Sequence, residues 1–407
     1  MIPFYRPYFD HAEIVAALRP GTGRDEFESA LAARVGARYG IAFAYGRSGV
    51  MAALKALGLS QAEVVLPAYT CEVMARAVVA SGNIPAFADI SLGDYNMDLG
   101  ALKRALSPRT RAVVATHLYG YPADVDAIRA LVGDERVTII EDAAQGMPDF
   151  SPGANGLRGD LGLFSFGPGK PLSTAQGGVI VTNSADLYAT IKAYRDQAMN
   201  QTSVKVWAKR WAWFLASYLV FHQTTYGLLH WYRRRRRAAP DGNLRPSTAA
   251  LPRAMPGDVA VAFADFQARI GLVQLGKLDG MLASRRTLVA LYDRELRDLP
   301  GIHPAAIVPG ATYAYYTLRV PRRDESHFRS RMLDQGISID QTFDYALPCL
   351  EPYRAYGRGD YPCAEQAARQ VVNLPLYPGL SAASTRYIAE STRRALAASN
   401  ADETKES

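Results

Sequence analysis

Short apolar runs alternate with amphipathic stretches along the first part of the chain. Residues 11–18 have apolar positions at helical spacing and stop at Pro20-Gly21. Phe27, Leu31 and Val35 then fall on one face of a second helix. Apolar runs of strand length follow at 41–45, 63–67, 85–89, 112–117 and 137–142, with helical patterns between them. The first of these helices is expected to open at Val50, after the turn Gly46-Arg47-Ser48-Gly49. Strands and helices alternating in this way predict a mostly parallel sheet covered on both faces. In such sheets ligands sit beyond the C-terminal strand ends. Ser48, Tyr69, His117 and Asp142 all follow strands there.

The alternation breaks at residues 200–255. An apolar run bounded by Trp211 and Trp231 leads into five arginines, Arg233–Arg237. As a helix it could span about 30 Å. A membrane-spanning helix would have to bury His222, Gln223, Thr224, Thr225 and Gly227, which argues against spanning. Aromatic and basic residues of this kind suit a helix lying on a membrane surface, so residues 207–237 are a candidate peripheral membrane contact. Packing at a dimer interface is the other reading. Residues 238–257 have linker composition, and a long helix follows from 258. An aromatic strand at 312–320, a helix at 328–335, a short strand at 337–339 and helices at 363–371 and 382–397 then predict a small α+β domain. The expected division is a large domain over 1–255, carrying the insertion, and a small one over 256–400.

Composition changes this picture little. The 407 residues are 49% hydrophobic and 21% charged, an ordinary globular mixture. The net charge of +7 comes largely from the arginine run and would suit a phosphorylated substrate. Nucleic acid is not expected, because no binding fold accompanies the arginines. The three cysteines have no paired spacing and the six histidines no metal-ligand spacing, so neither disulfide nor metal is expected. The N-terminus lacks the charged start and long apolar core of a signal peptide, and the expected location is cytoplasmic.

The chemistry concentrates in residues 137–182. An apolar run ends in Glu141 and Asp142; Phe164-Ser165-Phe166 and Gly-Pro-Gly lead to Lys170; Gly177-Gly178 opens a second apolar run. An acid at the end of a buried strand and a lysine on a glycine-shaped loop suit a pyridoxal phosphate site. The lysine would attach the cofactor, and the acid would keep its ring nitrogen protonated. Either residue alone reads equally as a strand cap or a solvated loop lysine. Their order, spacing and flanking glycines favour the site. The turn at 46–49, between a strand and a helix, is a candidate anion site.

At this point the chain resembles the nucleotide-sugar aminotransferases of the DegT–StrS type, within the aspartate-aminotransferase fold. The segments that carry the resemblance are Ser48-Gly49 before a helix, VVLPAYT, PAFADI, HLYGYPAD, IIEDAAQG, GDLGLFSFGPGKPLSTAQGGVIVT, ARIGLVQLGKLDG and NLPLYPGLS. The resemblance implies an α/β fold, that of the type I PLP-dependent transferases, with a large, mostly parallel domain and a smaller C-terminal one. It implies Lys170 as catalytic lysine, Asp142 on the ring nitrogen and Gln145 on the phenolic oxygen. It implies Ser165, Ser48 and the backbone of Gly49 and Val50 on the phosphate, and Cys71 where an aromatic usually stacks on the ring. Tyr69 is the expected substitute for that aromatic. The implied reaction moves an amino group from a donor such as L-glutamate to a keto-sugar on a nucleotide, for surface polysaccharide or related amino sugars, in a homodimer. Tyr315, Tyr316 and Tyr345 are candidate substrate contacts.

Several positions depart from the family pattern. A threonine is expected where Val50 stands, and a histidine where Cys349 stands. The Asn-x-Arg motif that reaches the partner subunit's phosphate is absent near 260–262, with Asn243-Leu244-Arg245 as a candidate replacement. Two alternatives follow. A PLP-dependent sugar dehydratase would by resemblance carry histidine in place of Lys170, which argues against that reading. A PLP-fold protein without turnover, serving as a membrane-associated partner, is the other.

Overall fold

The structure, a computed structural model, describes residues 1–147, 157–221, 225–227, 254–320 and 325–406. Helix α1 (His11–Leu18) opens with a reciprocal cap: Asp10 accepts from the amide of Ala12, and Glu13 accepts from the amide of Asp10. After α2 (Arg24–Arg34) the elements run β1 (Tyr39–Phe43), α3 (Gly46–Ala56), β2 (Glu63–Pro67), α4 (Glu72–Ala80), β3 (Ile84–Ala88), α5 (Leu99–Ala105), β4 (Thr110–Thr116), α6 (Val125–Val132), β5 (Thr138–Asp142), β6 (Leu161–Ser165) and β7 (Gly178–Thr182).

These strands form one seven-stranded sheet in the order β1-β7-β6-β5-β4-β2-β3. All neighbours from β6 to β3 are parallel; β7 alone runs antiparallel, to β6 and to β1. The fold is therefore α/β with a mostly parallel sheet. Side chains alternate across it. Val64, Leu66, Val114 and Ile140 share a core with α3 and α4. Val65, Val113 and Ile139 share another with α5 and α6. By the same alternation Asp142 faces the α3 side and Glu141 the other.

The chain continues through α7 (Ala185–Ala198), α8 (Val204–Val220) and α9 (Asp265–Leu296) to β8 (His303–Pro304) and β9 (Tyr316–Arg319). It ends with α10 (Glu325–Asp334), α11 (Pro362–Gln370), β10 (Val371–Leu374) and α12 (Ala382–Glu406). A second, antiparallel sheet has the order β10-β9-β8. The 32-residue α9 packs on α1 and α2 and also on α12. Gly271 makes the α2 contact close, since a Cβ there would lie 2.4 Å from the Phe27 ring. The chain start also joins the C-terminal part: Ile2 donates to Gly336 and accepts from Ser338, and Phe4 stacks on Tyr315 at 4.7 Å.

Three local expectations are corrected. Helix α3 begins at Gly46, not at Val50. At 337–339 there is no strand; Ile337 only bridges to Ile2. The strand lies instead at Val371–Leu374, where the β-branched Val371 and Val372 end the helix and pair with β9. Helix α8 ends at Val220, so the apolar run does not continue as one helix to Trp231. No described helix is long and apolar enough to cross a membrane. Asn243-Leu244-Arg245 and Arg233–Arg237 lie outside the described residues.

Helix α8 faces the wrong way for a simple surface helix. It buries Arg210, Phe214 and Ser217. It exposes Val204 (80%), Trp213 (46%), Leu215 (41%) and Leu219 (63%).

Candidate active site

The C-terminal ends of β4, β5 and β6 and the start of α3 meet around a cavity of about 270 Å³. Asp142, Gln145, Ser165, Lys170 and Cys71 all line it. Each is placed by backbone. Asp142 ends β5, and its carbonyl accepts from the amide of His117 at 3.0 Å. Ser165 ends β6 on the same sheet face. Lys170 sits on the loop joining antiparallel β6 and β7. That loop is tied by the bonds Phe166 N–H to Gly177 O, Thr174 N–H to Phe166 O and Lys170 N–H to Gly167 O, at 3.0–3.1 Å.

The two strand-end acids have different surroundings. The Asp142 carboxylate accepts from the Ala144 amide at 3.0 Å and is 4% exposed. Burial pushes its pKa up, with the Ala144 amide and the charge of Lys170 pulling the other way. Glu141 accepts from His117 Nε2 at 3.1 Å and from the amides of Arg158 and Gly159. Burial raises Glu141, but these donors outweigh it and its pKa is lowered. The His117 tautomer follows, because Nδ1 accepts from the Ala123 amide and so Nε2 carries the proton.

Gln145 is oriented by its carbonyl oxygen, which accepts from the Tyr119 amide at 3.0 Å. Its NH2 has no partner among the described residues. Tyr119 holds φ +56°, an uncommon conformation for a tyrosine, and that aims its amide at Gln145. Cys71 is the N-cap residue of α4, and burial raises its thiol pKa.

The start of α3 differs from expectation. The amide of Gly49 donates to Tyr45 O at 3.3 Å, and Val50 is fully buried in the core one turn into the helix. Ser48 is also fully buried, and neither it nor Gly49 nor Val50 lines the cavity. The residues that do are Gly46 and Arg47, whose amides have no partner among the described residues. Helix starts leave such amides open to an anion. Ser165 is adjacent, since a Cβ on Gly46 would lie 3.3 Å from Ser165 Cβ.

Other candidates lie elsewhere. Tyr69 is wholly buried, bonded to Tyr119 Oη at 2.8 Å and to Phe343 O at 3.2 Å, and cannot stack on a ligand. The aromatics in the cavity wall are Tyr45 and Phe343. Tyr316 stacks on Tyr292 and Tyr315 on Phe4; Tyr345 Oη accepts from the Glu72 amide. None of these three tyrosines lines the cavity. Sequence reasoning missed Tyr45, Arg47, Thr70, Thr116 and Gln176 on the wall. Thr70 and Thr116 were legible as the polar residues that follow or end the strands of 63–67 and 112–117.

The wall suits pyridoxal phosphate. A buried carboxylate at one end, a lysine, open amides beside Ser165 at the helix start, and the unpartnered buried hydroxyls of Thr70 and Thr116 are donors and acceptors awaiting a polar ligand. Among the described residues no cluster could hold a metal ion.

Comparison with known proteins agrees. The chain is 28% identical to the GDP-perosamine synthase of Caulobacter vibrioides, over 88% of this chain and 86% of that one. It is 28% identical to the UDP-2-acetamido-2-deoxy-3-oxo-D-glucuronate aminotransferase of Pseudomonas aeruginosa, over 89% and 88%. The solved aminotransferase TlmJ from Streptoalloteichus hindustanus superposes with a TM-score of 0.76 at 25% identity, over 98% of this chain and 99% of that one. The sequence profile of the DegT/DnrJ/EryC1/StrS aminotransferase family matches residues 11–218 and 253–393, and the chain belongs to that family of PLP-dependent aminotransferases.

Proposed function

We propose that the protein moves an amino group from L-glutamate to a keto-sugar carried on a nucleotide, in the biosynthesis of surface polysaccharide or a related amino sugar, and that it works as a homodimer. One observation carries this reading: Lys170, Asp142, Gln145 and Ser165 face a single cavity beside an open helix start. Relatives that act on GDP- and UDP-linked sugars support the substrate class.

Pyridoxal phosphate, when bound, supplies an electron-accepting ring. The chain supplies the rest. Asp142 offers a buried carboxylate to hold a proton on the ring nitrogen. Gln145 offers its NH2 to the phenolic oxygen. Ser165 and the amides of Gly46 and Arg47 offer donors to the phosphate. Lys170 Nζ is the amine for covalent attachment and, once released, the base that lifts and returns the substrate proton.

The test is spectroscopic. Protein mixed with pyridoxal phosphate is expected to show the visible band of a lysine-bound cofactor, and Lys170→Ala to lose it. L-Glutamate is expected to bleach that band as the amine is transferred. A panel of nucleotide keto-sugars offered to the amine-loaded protein then identifies the acceptor. No band, or a band indifferent to Lys170→Ala, overturns the proposal.

We also infer that α8 rests on an anionic lipid surface. Its exposed Val204, Trp213, Leu215 and Leu219 accompany the exposed Lys205 and Lys209, and Arg233–Arg237 follow in sequence.

A further inference from the structure

Arg47 is the second residue of α3 and lines the cavity. Its guanidinium carbon lies 4.6 Å from the centroid of the Tyr45 ring. Its Nε is shut off from solvent and has no hydrogen-bond partner. Burial depresses its pKa, and the charges that act on it are Cys71, Tyr45, Arg76 and Glu72. Glu72 is already committed: Arg76 binds it through two nitrogens, and the Tyr353 hydroxyl donates to it at 2.8 Å. Among the described residues, no carboxylate pairs with Arg47. A cation in this position, partly desolvated and unpaired, is costly without an anion.

The site beside it is built for one. The open amides of Gly46 and Arg47 and the Ser165 side chain meet there. The fully buried Thr70 hydroxyl, unpartnered, lines the same cavity. Tyr45 holds the guanidinium in place. Its hydroxyl donates to Asp258 Oδ1 at 2.7 Å, and Asp258 lies 3.6 Å from Arg210 Nη2 of α8.

We propose that Arg47 is the phosphate-pairing guanidinium of this cavity, binding the cofactor's phosphate from within the same chain. The proposal rests on the pyridoxal phosphate reading above. The phosphate contact expected from a hydroxyl at Val50 becomes a full charge at Arg47. A guanidinium can meet a phosphate through two parallel bonds, which a threonine hydroxyl cannot. Tyr45 is then a positioning residue, acting through Arg47.

The experiment compares pyridoxal phosphate with pyridoxal, which lacks the phosphate. Cofactor-free wild type, Arg47→Ala and Arg47→Lys are titrated with each ligand and binding is read by absorbance. Arg47→Ala is expected to weaken pyridoxal phosphate about 10- to 100-fold. Pyridoxal binding should be unchanged in the same variant, which also shows that the pocket is intact. Arg47→Lys should fall between. A separate arm titrates UDP and dTDP into the cofactor-loaded proteins. The proposal is overturned if pyridoxal phosphate binds Arg47→Ala as it binds wild type, if pyridoxal weakens in parallel, or if the loss appears only with the nucleoside diphosphates. Wild type that takes up no pyridoxal phosphate sinks the functional reading itself. Wild type that does, beside an indifferent Arg47→Ala, sinks only this inference.

Discussion

Glu141 and Asp142 are neighbours on one strand, and the sheet sends them to opposite faces. Glu141 meets three donors and its pKa is lowered; Asp142 is buried more than it is compensated and its pKa is raised. Linkage then gives opposite signs. Glu141 contributes stability that is present above its ordinary pKa and lost as the pH falls through its lowered value. Asp142 contributes stability that is present below its ordinary pKa and lost as the pH rises through its raised value. At neutral pH the cofactor-free protein therefore carries a cost at Asp142. Thermal melts of Asp142→Asn at pH 7 should show a higher Tm than wild type, although the variant loses cofactor affinity. Glu141→Gln should melt lower, by an amount corresponding to roughly 2–4 kcal/mol. Both differences should shrink as the pH is lowered. A Glu141→Gln variant that melts with wild type at pH 7 would contradict this assignment.

At the scale of elements, the start of α3 is fixed by its contact with β7. A Cβ on Gly178 would lie 2.4 Å from the backbone of Gly46, and neither backbone can yield without moving its element. Gly178→Ala should therefore displace the helix start and the open amides with it. The expected result is weaker binding of pyridoxal phosphate together with a fall in stability of about 1–3 kcal/mol, read by titration and melting of the same sample. Unchanged affinity would mean that this helix start does not hold the phosphate. The same element shows where sequence reading stops. The order of strands and helices is visible because apolar periodicity is local. The four-residue shift in the helix start is not, because the N-cap residue Tyr45 makes no side-chain cap bond and the glycine contact that sets the start comes from β7, more than a hundred residues away. The shift hid Arg47, while Asp142, Gln145, Ser165 and Lys170 were legible, since each lies within one contiguous stretch. The candidate substrate tyrosines are harder to place from the sequence, for the reverse reason. An alternating aromatic segment marks a strand; Tyr315, just before β9, stacks on Phe4 and Tyr316, its first residue, on Tyr292, and neither lines the cavity.

For the whole molecule, the unusual surface is α8. Its buried face holds Arg210, which donates to the carbonyl of Ala262 at 2.9 Å and lies near Asp258, while its outer side exposes Val204, Trp213, Leu215 and Leu219 together with Lys205 and Lys209. If that face meets lipid, Trp213 fluorescence should shift to shorter wavelength with vesicles rich in anionic phospholipid and not with neutral ones. High salt should weaken the effect, and Leu215→Glu with Leu219→Glu should abolish it. A shift that is equal with neutral vesicles, or no shift at all, rules out this contact. Sedimentation of the same double variant reports whether the face instead joins two copies.

The lone antiparallel strand β7 has a consequence for how this protein can vary in length. From β2 through β3 and β4 to β5, the chain leaves each strand end and returns through a helix, α4, α5 and α6 in turn, so added residues can be absorbed far from the ligand edge. Between Ser165 and Gly178 it leaves and re-enters at that edge, with both ends pinned by ladder bonds between β6 and β7. One residue inserted there has nowhere to go except the loop itself. It can move Lys170 by up to about 3.3 Å, a whole bond-forming distance. This segment should be the one whose length cannot drift while the reaction is kept.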